Sequence, residues 1–134
     1  MEMSLLFKRR LPIIVCSMVL LLVIVGFSAQ AQAAPSLFWQ TDTVYYDNDG
    51  RLVIEGYFSN NGTQPITWVN RLDVQVFFRQ ANTDWWLQAA ASFYDLNVYL
   101  NPGDSLRWTF RIYNVTYANF AYWNVRWNVN YQYR

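Results

Sequence analysis

Residues 122–134 read YWNVRWNVNYQYR, and this stretch decides the fold class. Trp123, Val125, Trp127, Val129, Tyr131 and Tyr133 fall on one parity, and Asn124, Arg126, Asn128, Asn130, Gln132 and Arg134 on the other. That is the period of a β-strand with one buried face and one wet face, because successive side chains of a strand point to opposite sides. Wound as a helix, the same residues would scatter their aromatics around the cylinder. The stretch is therefore expected to be a closing strand whose tryptophans belong to a core built by everything before it. Its expected partner is the segment 106–112 or one of that segment's neighbours.

Upstream of it the same period recurs. Residues 37–46 (LFWQTDTVYY) are rich in aromatic and β-branched side chains, and Asp47-Asn48-Asp49-Gly50 follows as a hairpin turn built from residues that tolerate positive φ. Leu52, Ile54, Gly56 and Phe58 alternate with Val53, Glu55 and Tyr57, and a loop NNGTQP ends that strand. Residues 66–80 are long enough for a bent strand or for two, with Leu72, Val74, Val76 and Phe78 marking the clearer half. In residues 85–94 the parity of Leu87, Ala89, Ala91 and Phe93 assigns Trp85 to the core and Trp86 to the outside. Pro102-Gly103 suits the centre of a type II turn, after which Leu106, Trp108, Phe110 and Ile112 share a face. Short strands separated by turns, without helical periodicity, predict an all-β fold. The expected architecture is a single antiparallel β-sandwich of six to seven strands, immunoglobulin-like, with a small barrel as the rival.

The first third reads as an address. Lys8, Arg9 and Arg10 precede the apolar run 11–27, and Ala29-Gln30-Ala31 and Ala31-Gln32-Ala33 both fit a signal-peptidase site. The expected organisation is a secretory signal peptide helix over 1–33, cleaved after Ala31 or Ala33, and a β-sandwich domain over 34–134. Cys16 lies in the middle of the apolar run behind Val15, the wrong place and the wrong neighbour for lipoprotein processing. The expected location is secreted or extracellular, in association with the cell envelope, and membrane contact is expected only through an uncleaved leader.

Without that leader, seven arginines (51, 71, 79, 107, 111, 126, 134) face eight acids (42, 47, 49, 55, 73, 84, 95, 104), a formal charge of −1 that gives no reason to expect a nucleic-acid partner. The one cysteine and the one lysine both lie in the leader, so stability must come from packing. All seven tryptophans and all ten tyrosines lie beyond it, and each such ring buries some 150–250 Å².

Four stretches, LVIEGYFSNNGTQPI, LDVQVFF, ASFYDL and LNPGDSLRWTF, together resemble the SLAP (S-layer-associated) domains of Gram-positive bacteria. Asn60, Pro65, Ile66, Phe93, Leu96, Pro102, Trp108 and Phe110 occupy the matching places, over roughly residues 52–112. The resemblance implies a small secreted β-sandwich with a structural or protein-interaction role at the cell envelope and no catalysis.

The residue inventory agrees with the absence of an enzyme. No histidine exists to activate a nucleophile, and beyond the leader there is no cysteine or lysine. Glu55 with an aspartate is the only glycosidase-like option, and its mid-strand place reads as a solvated side chain. Nitrogen- and sulfur-loving metals lack ligands, and Asp47–Asp49 reads as a hairpin turn before it reads as a calcium loop. No cofactor or metal site is expected. Two partner classes remain. Outward aromatics can serve as platforms for a polysaccharide, with Trp86, Tyr57, Tyr94 and Tyr122 as candidates and Phe77 similarly off-parity. A strand of this length would span roughly 43 Å at about 3.3 Å per residue. Either a bulge keeps the strand within its own domain, the favoured reading, or its end projects beyond the sheet, with Tyr131 and Tyr133 as candidates for strand addition to a cell-envelope protein or to a second copy.

Overall fold

The computed structural model describes residues 34–133; the expected leader with its cleavage sites, and Arg134, lie outside the described residues. Six strands follow in order: β1 (Leu37–Tyr46), β2 (Leu52–Asn60), β3 (Ile66–Arg79), β4 (Trp86–Leu96), β5 (Ser105–Ile112) and β6 (Tyr122–Tyr133). They form two antiparallel three-stranded sheets, β1-β2-β5 and β4-β3-β6. The chain changes sheet after β2, after β4 and after β5, which is the Greek-key connectivity of an immunoglobulin-like sandwich.

The two central strands carry most of the core. Leu52, Ile54 and Phe58 of β2 face Val69, Leu72, Val74, Val76 and Phe78 of β3, all at 0–1% exposure. Trp39 packs against Phe58 and Phe110 at 4.9 and 5.2 Å between ring centroids. The flanks are closed by Phe93 of β4 on Phe110 of β5 at 4.4 Å, and by Phe38 of β1 on Trp127 of β6 at 5.1 Å. The turns hold as expected: Gly103 takes φ +86°, and the Asp104 N–H donates to the Asn101 carbonyl at 3.0 Å. Gly56 is required by a close approach, since a Cβ there would lie 1.9 Å from the Gln40 carbonyl oxygen.

Two expectations are corrected, and between them one alternative is decided. First, β6 pairs with β3 and not with 106–112; the register sets Trp127 opposite Val74 and Trp123 opposite Phe78. Second, the end of β6 stays within its own sheet, the bulge alternative, because Asn130, Tyr131, Gln132 and Tyr133 remain paired with β3. β3 matches that length through two extra residues, Thr67 and Asn70, which also explains why its first half shows no clean period. Third, Trp86 faces the core and Trp85 is exposed. The ladder passes from Phe77–Leu87 to Val76–Ala89, so Gln88 is an extra residue and parity inverts across it. Ala89, Ala91 and Phe93 keep the expected side, while Leu87 turns outward with 52% exposure.

Candidate ligand-binding face

The outer face of the β4-β3-β6 sheet follows from the register. Going down the strands, its cross-strand rows are Arg79 with Tyr122, Leu87–Phe77–Asn124, Ala90–Gln75–Arg126, Ser92–Asp73–Asn128, Tyr94–Arg71–Asn130, and Trp68 with Gln132. The distance along β3 from Arg79 to Arg71 is roughly 26 Å at about 3.3 Å per residue.

The two ends of this face are aromatic and its middle is small and polar. At the upper end the Arg79 guanidinium lies over both the Trp85 ring (5.2 Å) and the Tyr122 ring (4.9 Å), and its Nε is buried without a hydrogen-bond partner. Arg126 lies over Phe77 at 5.0 Å. At the lower end Arg71 lies over Tyr94 at 5.4 Å. Between them Asp73, Gln75, Ala90, Ser92, Arg126 and Asn128 border a groove of about 620 Å³. Short side chains on β4 leave this hollow, because Ala90 and Ser92 stand where Leu87 and Tyr94 rise on either side.

The arginines divide by partner. Arg71, Arg51, Arg107 and Arg111 each have a carboxylate within 4.0 Å; among the described residues Arg79 and Arg126 have none. In the groove, the Ser92 hydroxyl donates to Asp73, and Arg71 Nε donates to the same carboxylate at 2.7 Å. These two donors, Ser92 foremost, hold the Asp73 carboxyl below its ordinary value. One anion of the face is thus already neutralised, and the two unpaired guanidinium groups leave the upper half positive.

The six residues expected from sequence to contact a ligand or partner do not converge. Tyr94 and Tyr122 lie on this face and are exposed. Tyr57 lies on the opposite sheet, where its hydroxyl donates to Gln40 at 2.8 Å. Trp86 is half-buried against Phe78, and its indole N–H donates to Gln88 at 2.8 Å. Tyr131 packs against the core at the lower end of β6, and Tyr133, beside it, is exposed. The off-parity Phe77 also lies here, and the face adds Trp85, Arg79 and Arg126. Arg79 shares parity with Phe77, Gln75 and Asp73 in the sequence, a signal that would have placed it here; Trp85 was hidden by the bulge.

In the turn between β1 and β2, the calcium alternative meets opposing geometry. Asp47 accepts from the backbone N–H of Asp49 and of Arg51 and from Arg51 Nε, and Asp49 accepts from Arg51 Nη2, so the turn is built around a cation it already has. Glu55 accepts the Tyr45 hydroxyl at 2.8 Å, and this bond raises the tyrosine's pKa.

No family model matches the chain, and no curated protein matches it. Among solved structures, the Salmonella enterica trimeric lipoprotein SadB is similar over 98% of this chain and 82% of its own, at 14% identity and a TM-score of 0.47. A beta-glucosidase from Listeria innocua, in complex with glucose, is similar over 60% of this chain and 11% of its own, at 15% identity and a TM-score of 0.31. Neither likeness bears on function.

Proposed function

We propose that this protein is a non-catalytic module of the cell envelope that binds a polysaccharide along the outer face of β4-β3-β6. One observation carries the reading: Trp85, Phe77, Tyr94 and Tyr122 share that face, at the two ends of a polar groove long enough for several sugar units. Aromatic rings offer flat apolar platforms to the C–H faces of sugars, and the Asn, Gln and Ser side chains between them supply donors and acceptors to hydroxyl groups. The unpaired Arg79 and Arg126 favour a sugar that carries a carboxylate, since a planar guanidinium matches that group in a two-point hydrogen bond.

The leader-like segment and the SLAP-like residues support a place outside the cytoplasmic membrane. Those residues also have structural work here. Asn60 ties a loop, and Ile66 and Phe110 are buried in the core. A non-catalytic role is supported by the inventory, which lacks histidine, and by Glu55 and Asp73, both engaged in hydrogen bonds on different sheets.

Affinity electrophoresis in gels containing polygalacturonate, alginate, hyaluronate or glucuronoxylan, each beside its carboxyl-reduced form, tests the proposal. Retardation is expected in at least one acidic polymer. Trp85→Ala should weaken it about tenfold, equivalent to about 1.4 kcal/mol. Tyr57→Phe on the opposite sheet should leave it unchanged. Equal retardation by the reduced polymer would remove the carboxylate preference and keep the platform. No retardation in any gel would overturn the reading.

A further inference from the structure

The edge of β6 that faces away from β3 is unlike the other three sheet edges. β1 is interrupted by an extra residue at Asp42 and β4 by one at Gln88. β5 is short, at 8 residues, and carries Arg107 and Arg111. Bulges, charges and short length are the devices by which edge strands avoid pairing with other chains. β6 has none of them in force. It runs for 12 residues without proline, lysine or acid, its one charge is Arg126, and the irregularities of its ladder fall on β3.

Its inner face is also incompletely covered. Phe78, Val76, Val74, Leu72 and Val69 of β3 are at 0–1% exposure. Their neighbours on β6, Trp123, Val125, Trp127, Val129 and Tyr131, are all only half-buried. The opposite sheet approaches this rim at Phe38, which is itself exposed. Among the described residues no strand lies beside that edge of β6.

We infer that the occupant is the β6 strand of a second copy, paired antiparallel about a twofold axis perpendicular to the sheet. The sequence of β6 is self-complementary in that arrangement. With Trp127 of one copy opposite Trp127 of the other, Val125 meets Val129 and Trp123 meets Tyr131 on the inner face. On the outer face Arg126 meets Asn128, and Asn124 meets Asn130. No like charges oppose each other, and residues 122–132 of both strands pair throughout. A slip of one residue sets tryptophan against asparagine, and the register that centres on residue 126 sets two arginines face to face. Aromatic and β-branched cross-strand pairs are the kind that stabilise a sheet junction. The product is one six-stranded sheet, β4-β3-β6-β6-β3-β4, with both outer faces on the same side. The dimer does not depend on which ligand those faces hold.

Sedimentation velocity over a wide concentration range, on the protein as exported, tests the inference with two variants at exposed outer-face positions. The native chain should sediment as a dimer. Asn124→Lys with Asn130→Lys sets lysines opposite each other twice and should yield a monomer with unchanged near-ultraviolet circular dichroism. Asn124→Glu with Asn130→Lys sets opposite charges at the same two places and should restore the dimer. A native chain that stays monomeric overturns the inference. An oligomer that is indifferent to both variants overturns it as well, by placing the contact elsewhere.

Discussion

Asn60 shows how one polar side chain holds a junction that apolar packing cannot. It is fully buried; its amide group donates to the carbonyls of Gln64 (2.7 Å) and Leu100 (3.0 Å), and its Oδ1 accepts the Gly62 N–H at 3.0 Å. Those bonds tie the β2–β3 loop to the β4–β5 connection, where Ile66 and Leu100 exchange backbone bonds at 2.8 and 2.9 Å. Asn60→Ala should cost about 3 kcal/mol, since buried groups left without partners lose about 1–3 kcal/mol each. Asn60→Asp should cost more, because it aims an acceptor at two carbonyl oxygens. Urea denaturation of both variants orders them, and a milder aspartate variant would contradict that order. From sequence, Asn60 is a turn residue in an Asn-rich loop; its burial depends on Leu100, forty positions away.

At the scale of elements, β6 owes its stability to β3. Trp127 sits directly opposite Val74, and their partners alternate down the ladder from Tyr122 to Tyr133. A double-mutant cycle between Trp127→Ala and Val74→Ala should show a coupling of about 0.5–1 kcal/mol, the range for cross-strand neighbours. The cycle between Trp127→Ala and Leu106→Ala should be additive, because Leu106 lies near the end of the other sheet, opposite Phe58. Additivity in the first cycle and coupling in the second would place β6 beside β5 instead of β3. The strand itself was legible from its alternation. Its partner was not, since β3 and β5 both present apolar faces of the right period, and alternation carries no information about which neighbour lies alongside. The same limit hid the exposed Trp85. One extra residue at Gln88, tied to Trp86 and to Thr116 by hydrogen bonds, inverts the parity on one side of it.

For the whole molecule, charge sets the response to acid. At Asp47 desolvation pushes the carboxyl up, but the bonds from Arg51 and Asp49 outweigh it and leave it below the ordinary 3.8. At Asp73 Ser92 and Arg71 act in the same downward direction. A carboxyl depressed in the folded state contributes stability above its unfolded pKa, and that contribution disappears as pH falls through the folded value. The urea midpoint should therefore decline once the pH drops below about 4. A chain without histidine has no side chain whose ordinary titration falls between about pH 5 and 8, so the midpoint should be flat there. Asp47→Asn with Asp73→Asn should lower the neutral midpoint and flatten the acid decline; an unaltered decline would assign it to other carboxyls. Alternation, turn chemistry and an aromatic supply without disulfides determined, from the sequence alone, an all-β chain; they favoured a sandwich over a small barrel and placed most strand limits within two residues. Tertiary structure alone decided which strands adjoin, which tryptophan of the adjacent pair faces water, and that Arg79 stands between Trp85 and Tyr122. A strand's side-chain period is local, whereas bulges, sheet order and the meeting of an arginine with two rings depend on contacts between segments far apart in the chain.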